Sequence, residues 1–185
     1  KVGADSVMSW VVYPERSSKA PVVIVLHENT GLTTWARAVA DQMAVEGFIA
    51  IAPDMLTPAR KGNLTSEWAR DSAGPAIREL TPEMVNARLD AVAKYGMSLP
   101  AALPKYGIVG FCWGGARSFG YAAAQPGLNA AVVFYGDAPG AAAEASQRAR
   151  HSQCRTARSD PCRCARRVFV QGLRPRAARR CGEAG

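Results

Sequence analysis

Cys112 stands in Gly110-Phe111-Cys112-Trp113-Gly114-Gly115, between the apolar run YGIVGF and a segment rich in small residues. A cysteine on a strand-to-helix turn is held in a tight bend that projects its sulfur above the sheet edge. Glycines two before and two after it remove the Cβ atoms that would collide around that bend. The start of the following helix stabilises a thiolate and a developing oxyanion through N–H groups that have no partner within the helix. The Trp113 N–H is then one oxyanion donor. A second constellation, His27-Glu28-Asn29, follows the apolar run VVIVL, at the strand end where open α/β sheets place their ligands. The Asn29 N–H is the second oxyanion donor expected from that neighbouring strand end. Glu28 either pairs with the thiol and orients it or is a plain loop carboxylate. His27 is either a base or, as a ring directly after Leu26 on a strand more often is, a packing and loop-capping residue. The alternative for Cys112 is a buried structural cysteine in a Gly-rich tight turn.

The elements that must position these residues are legible from apolar periodicity. VMSWVVYP alternates as a half-exposed strand, and Val22 to Leu26 form a continuous run suited to a strand covered on both faces. In TTWARAVADQMAVEG the period changes: Trp35, Val39 and Met43 recur every four residues, with Ala40 and Ala44 beside them, and Gly47 ends the helix. FIAIAPD follows as another buried strand, completing a βαβ unit with parallel pairing. Residues 55–80 read as excursion loops around a short helical piece. Thr81 and Pro82 then give an N-cap with proline at the first helical position, and Val85, Leu89 and Val92 form the apolar stripe. YGIVGF, the Cys112 turn, its helix and AAVVFYG complete the cycle. The expected fold is α/β, a doubly wound, mainly parallel sheet.

GIVGFCWGGARS, VIVLHENTGL and GFIAIAPDML together resemble the dienelactone hydrolase family of α/β-hydrolases, over roughly residues 5–137. The resemblance places Cys112 as the family's nucleophile and Glu28 as the glutamate that pairs with the resting thiol and is displaced when substrate binds. It implies hydrolysis of an enol-lactone or a related small ester through an acyl-cysteine, with no cofactor or metal. Family members continue with a strand ending in G-x-x-D and a later Gly-His-Gly-Phe-like segment that carries the base. Asp160, in SDPC, falls near the expected order and distance for the acid, but HSQCRTAR before it does not form the supporting strand. No histidine follows Asp160, so the resemblance assigns no base. The expectation is therefore an α/β-hydrolase core without its usual C-terminal strands, and a catalytically impaired hydrolase-like protein is the main alternative.

Charge separates the same two regions. Residues 1–137 hold 12 Lys/Arg and 12 Asp/Glu, whereas 138–185 hold 11 Arg, no Lys and 3 acidic residues, so the formal net charge of +8 belongs to the second region. Two domains of composition follow: a core over 1–137 and an Arg/Cys-rich tail over 138–185. The tail, in which RVFVQG is the only strand candidate, reads as non-core, or as sequence altered by a shifted reading frame. Its basic charge could attach to phosphate backbones, but Phe169 is its one aromatic, which argues against a nucleic-acid partner. Cys154, Cys162, Cys164 and Cys181 lack the paired spacing of a structural zinc site, even with His151 nearby. An odd total of 5 cysteines argues against a fully paired disulfide framework and favours a reducing compartment. No apolar run spans a membrane and the first ten residues lack a secretory h-region, so a cytoplasmic protein is expected. Its partner would be a small ester or lactone. Arg60, Lys61, Arg70 and Arg78 lie near the excursion and could hold a substrate carboxylate, although solvated surface charge is the better reading of each.

Overall fold

Apolar residues, Val and Ile together with Ala, fill most of the segments APVVIVL, IAIAP and AAVVF and the second half of ALPKYGIVGF, as expected where a pleated surface is covered on both faces. In the computed structural model, which describes residues 6–60, 70–137 and 167–171, they build one six-stranded sheet in the order β1-β3-β2-β4-β5-β6. The strands are β1 (Ser9–Val12), β2 (Ala20–Leu26), β3 (Ile49–Pro53), β4 (Ala102–Phe111), β5 (Ala130–Phe134) and β6 (Arg167–Gln171). β1 pairs antiparallel with β3, and every other neighbouring pair is parallel. The helices are α1 (Thr34–Val45), α2 (Arg70–Arg78), α3 (Pro82–Ser98) and α4 (Trp113–Ala124), with a 3-10 turn at Thr57–Arg60 before α2.

Period-two alternation divides the core. Val22, Ile24 and Leu26 point to one side, with Ile49, Ile51 and Ile108, and pack under Val85, Leu89 and Val92 of α3 and Tyr121 of α4. Val23 and Val25 point to the other, with Ala50, Ala52, Val109 and Phe111, and meet Ala40 of α1. The α3 stripe is the one the sequence predicts, and Thr81 caps its N-terminus by accepting the Met84 N–H at 3.3 Å. The α1 stripe differs. Ala36, Ala40 and Ala44 are its buried residues, while Trp35 is 45% exposed and Val39 and Met43 only flank the core. Small side chains let this helix lie close on the sheet, and Trp35 instead reaches past the helix end to meet Phe111 edge-on at 4.9 Å.

β4 starts at Ala102 rather than after Pro104. The pairing with β2 jumps from Ala20↔Ala102 to Val22↔Tyr106, so the extra residues on β4, Pro104 among them, sit in an irregularity where a missing N–H is tolerated. At the far edge, RVFVQ forms β6 in register with β5, Ala130↔Arg167 to Phe134↔Gln171. The sheet thus extends into the segment that composition sets apart at residue 138. No helix among the described residues is long and apolar enough to cross a membrane.

The strand order fixes where a site can form. From β2 the chain goes to β3 on one side, and from β3 it returns to β4 on the other side of β2. β2 and β4 therefore flank the point where the winding reverses, and a crevice opens at their carboxyl ends. His27-Glu28-Asn29 leaves β2 there, and Cys112 leaves β4.

Candidate active site

Cys112 has φ 53° and ψ −118°, one of two non-glycine residues with positive φ among those described. The surrounding glycines explain how the turn is held. A Cβ on Gly110 would run into the Gly114 carbonyl and Ser118 Oγ, and one on Gly114 into the His27 carbonyl and, at 2.6 Å, the Leu26 carbonyl. On Gly115 it would lie 2.7 Å from the Phe134 carbonyl. Most of these neighbours are backbone, which cannot rotate away, so β2, β4, β5 and α4 converge on the turn at main-chain contact distance. The Cys112 N–H donates to the Phe134 carbonyl at 3.1 Å, tying the turn to β5. Cys112 occupies the N-cap of α4, yet its side chain makes no capping hydrogen bond, and it is only partly buried.

A cavity of about 370 Å³ opens over the sulfur, lined by Cys112, Trp113, Asn29, Arg78, Tyr135 and Asp137 among others. Trp113 is the first residue of α4, so helix geometry leaves its N–H without an intrahelical acceptor. Asn29 sits in the turn closed by the Gly31 N–H on the Glu28 carbonyl at 3.4 Å, with Gly31 at φ 84°. Two backbone amide positions from different strand ends thus border the same cavity as the sulfur.

His27 is fully buried behind this cavity. Its Nδ1 lies 2.6 Å from the Glu28 carbonyl, and its Nε2 accepts the Met55 N–H at 3.1 Å. A backbone N–H only donates and a carbonyl only accepts, so these two contacts fit the neutral tautomer with its proton on Nδ1, and the Asp54 carboxylate lies 4.0 Å from Nε2. The ring is stacked on the Trp113 indole at 5.6 Å with an interplanar angle of 12°. The Arg117 guanidinium also packs on that indole, 5.6 Å from its centroid. Of the two roles open to His27, packing and loop capping is the one its contacts match.

Of the residues expected to act, Cys112, Asn29 and Trp113 share one cavity, whereas Glu28 is half-buried, is not among its lining, and is tied to it through a hydrogen bond with Tyr135. Asp160 and His151 lie outside the described residues, as does Lys61. Arg78 borders the cavity from α2. Tyr135 is the functional candidate that sequence reasoning passed over. It follows β5 directly at φ 39°, the second non-glycine residue with positive φ, and lines the Cys112 cavity. Its phenol is held above its ordinary pKa, first by desolvation, although the ring is largely exposed, then by the Glu28 charge and a hydrogen bond to it, and last by Cys112. The hydroxyl therefore stays protonated, and able to donate, past the usual phenol range. A polar-tipped aromatic ending the run AAVVF was the available signal. No cluster of three or more metal-ligating side chains occurs among the described residues.

Residues 7–167 match the family model described as the dienelactone hydrolase family. Among proteins of similar sequence, a "Putative carboxymethylenebutenolidase" of Salmonella typhi is 33% identical over 133 residues, covering 71% of this chain and 49% of the relative. The protein of the same name from Escherichia coli K12 is 32% identical over 137 residues, covering 74% and 50%. The chain thus spans about half the length of these curated relatives. Among solved structures, a dienelactone hydrolase-like promiscuous phosphotriesterase from metagenomic libraries superposes with a TM-score of 0.67 at 22% identity, over 92% of this chain and 77% of that one. That likeness is one of fold.

Proposed function

Because this chain belongs to the dienelactone hydrolase family of α/β-hydrolases, we propose that it hydrolyses small esters or lactones by acyl transfer through Cys112. The observation that carries the reading is the backbone of Cys112, held in a left-handed conformation by main-chain contacts so that its sulfur borders a cavity shared with Asn29 and Trp113. In the proposed reaction the Cys112 thiolate attacks the carbonyl carbon, forming the S–C bond while the C=O π pair moves to oxygen. The N–H groups of Asn29 and Trp113 stabilise that oxyanion. Collapse breaks the C–O bond and expels an enolate or alkoxide, which takes up a proton. Water then attacks the thioester, releasing the acid and regenerating the thiolate. Glu28, hydrogen-bonded to the Tyr135 that shares the cavity with Cys112, is the residue proposed to receive or return the thiol proton. Asp160 is kept as the proposed acidic member by its order in the chain. The chemistry requires no metal or cofactor.

A second reading shares the first half of this sequence. Both nitrogens of His27, the one histidine among the described residues, face backbone groups, which favours a protein that acylates but deacylates slowly. p-Nitrophenyl acetate separates the two. Full activity gives continuous nitrophenol release, and the impaired form gives a burst equal to the enzyme concentration followed by a slow phase. In both, mass spectrometry finds the acyl group on Cys112, and Cys112→Ala abolishes that adduct and lowers nitrophenol release by about 10³-fold or more. Wild-type rates in C112A would remove the cysteine mechanism altogether.

A further inference from the structure

The Glu28 carbonyl and the Asn29 N–H belong to one planar peptide unit. In a trans peptide these two groups point in opposite directions across the C–N bond, so whatever holds the carbonyl also aims the amide. His27 Nδ1 holds that carbonyl at 2.6 Å. The donated hydrogen bond draws electron density toward the carbonyl oxygen and leaves the Asn29 N–H a stronger donor, as in any chain of linked amides. The other nitrogen, Nε2, is pinned by the Met55 N–H at the end of β3, so the ring cannot turn over without breaking both bonds. The same ring is stacked on the Trp113 indole, and the His27 carbonyl blocks the Cβ position of Gly114. One side chain therefore touches both halves of the oxyanion site while lying fully buried, out of reach of substrate.

We propose that His27 is a positioning residue for the oxyanion site at Cys112: a neutral imidazole that aims and polarises the Asn29 amide through the Glu28 carbonyl and steadies Trp113 by stacking on its indole. This rests on acyl transfer at Cys112, and it assigns His27 no proton-transfer step. The assignment matters because a neutral ring locked between a carbonyl and an amide gives the site a rigid donor without a mobile proton. It also explains why a histidine follows Leu26, where one more apolar residue would have satisfied the core: leucine or valine offers the Glu28 carbonyl no hydrogen.

Two substitutions separate the functions of the two nitrogens. In His27→Asn the side-chain amide stands where Nδ1 stood and can donate to the Glu28 carbonyl. In His27→Gln the longer side chain can accept the Met55 N–H but offers nothing at the Nδ1 position. Acylation of Cys112 by p-nitrophenyl acetate needs the oxyanion site, whereas alkylation of Cys112 by iodoacetamide, read by peptide mass spectrometry, does not. H27Q is expected to acylate about tenfold or more slowly than wild type, with the loss in the rate constant rather than in half-saturation, and to alkylate within about twofold. H27N is expected to restore most of the acylation rate. Equal acylation in all three proteins, or parallel loss of acylation and alkylation in both variants, would overturn the proposal. The Asn29 amide resonance is followed in the same samples: an upfield shift in H27Q, reversed in H27N, is expected, and an unmoved resonance also overturns it. If Cys112→Ala releases nitrophenol as fast as wild type, the hydrolase reading falls and the positioning role falls with it; if C112A is inactive while the Asn29 resonance ignores residue 27, the positioning role falls and the hydrolase reading stands.

Discussion

A side chain at Cys112 is placed where glycine would be most comfortable. Holding a residue with a Cβ at φ 53° stores roughly 1–3 kcal/mol, which the packed strand ends must offset. Cys112→Gly removes that strain and adds roughly 0.5–1 kcal/mol of unfolded-chain entropy, whereas C112A keeps the Cβ and the strain. Chemical denaturation is therefore expected to show C112G more stable than C112A by about 1 kcal/mol, with Cys112 chemistry absent from both. A less stable C112G would show that the turn is not strained. At this scale the sequence is informative about placement: a glycine pattern and a strand end bring Cys112, Trp113 and Asn29 to one cavity. Tyr135 was not legible in this way, because its role depends on β5 lying beside β4, a pairing that no local pattern in AAVVFYG declares. His27 was legible as a choice between two roles, and only the partners of its two nitrogens decide it.

Helix α4 carries two glycines whose environments are opposites. Gly114 lies against the carbonyls of Leu26 and His27, while a Cβ at Gly120 would meet nothing within 4 Å. Gly114→Ala is expected to cost about 2–3 kcal/mol or more, because the contacts are main chain on main chain and relief requires moving α4 off the sheet. Gly120→Ala is expected to stabilise by about 0.5–1 kcal/mol, since alanine is the better helix former and the site has room. Thermal melts of the two variants check the contrast; destabilisation of similar size in both would contradict the close approach described for Gly114. Element boundaries followed the same division between local and tertiary causes. The Thr81-Pro82 start of α3 is a local signal and was placed correctly from sequence. In α1 the four-residue recurrence runs through Trp35, Val39 and Met43, with Ala40 and Ala44 beside them, and it is the alanines that are buried. How closely a helix can approach a sheet is set by its smallest residues, here Ala36, Ala40 and Ala44.

Across the whole molecule, the sheet order explains why two segments more than eighty residues apart make one site: both leave the sheet where its winding reverses. Periodicity supports the strands and the parallel pairing, but it does not state the order, which is a property of long-range contacts. The strand at Arg167–Gln171 falls in RVFVQG, whose apolar pattern marks it as the one strand candidate after residue 137, although composition sets that whole segment apart and does not say that it joins the sheet. The Cys112 N–H rests on the Phe134 carbonyl, the last residue of β5, one position before Tyr135. That main-chain bond ties Cys112 to a strand terminus, the part of a strand that frays most readily. Gentle warming would unmoor it while the central strands persist, so thiol-dependent activity is expected to fade several degrees before circular dichroism registers any melting, and to return on cooling. Coincident curves would mean that the mooring gives way only with the sheet itself.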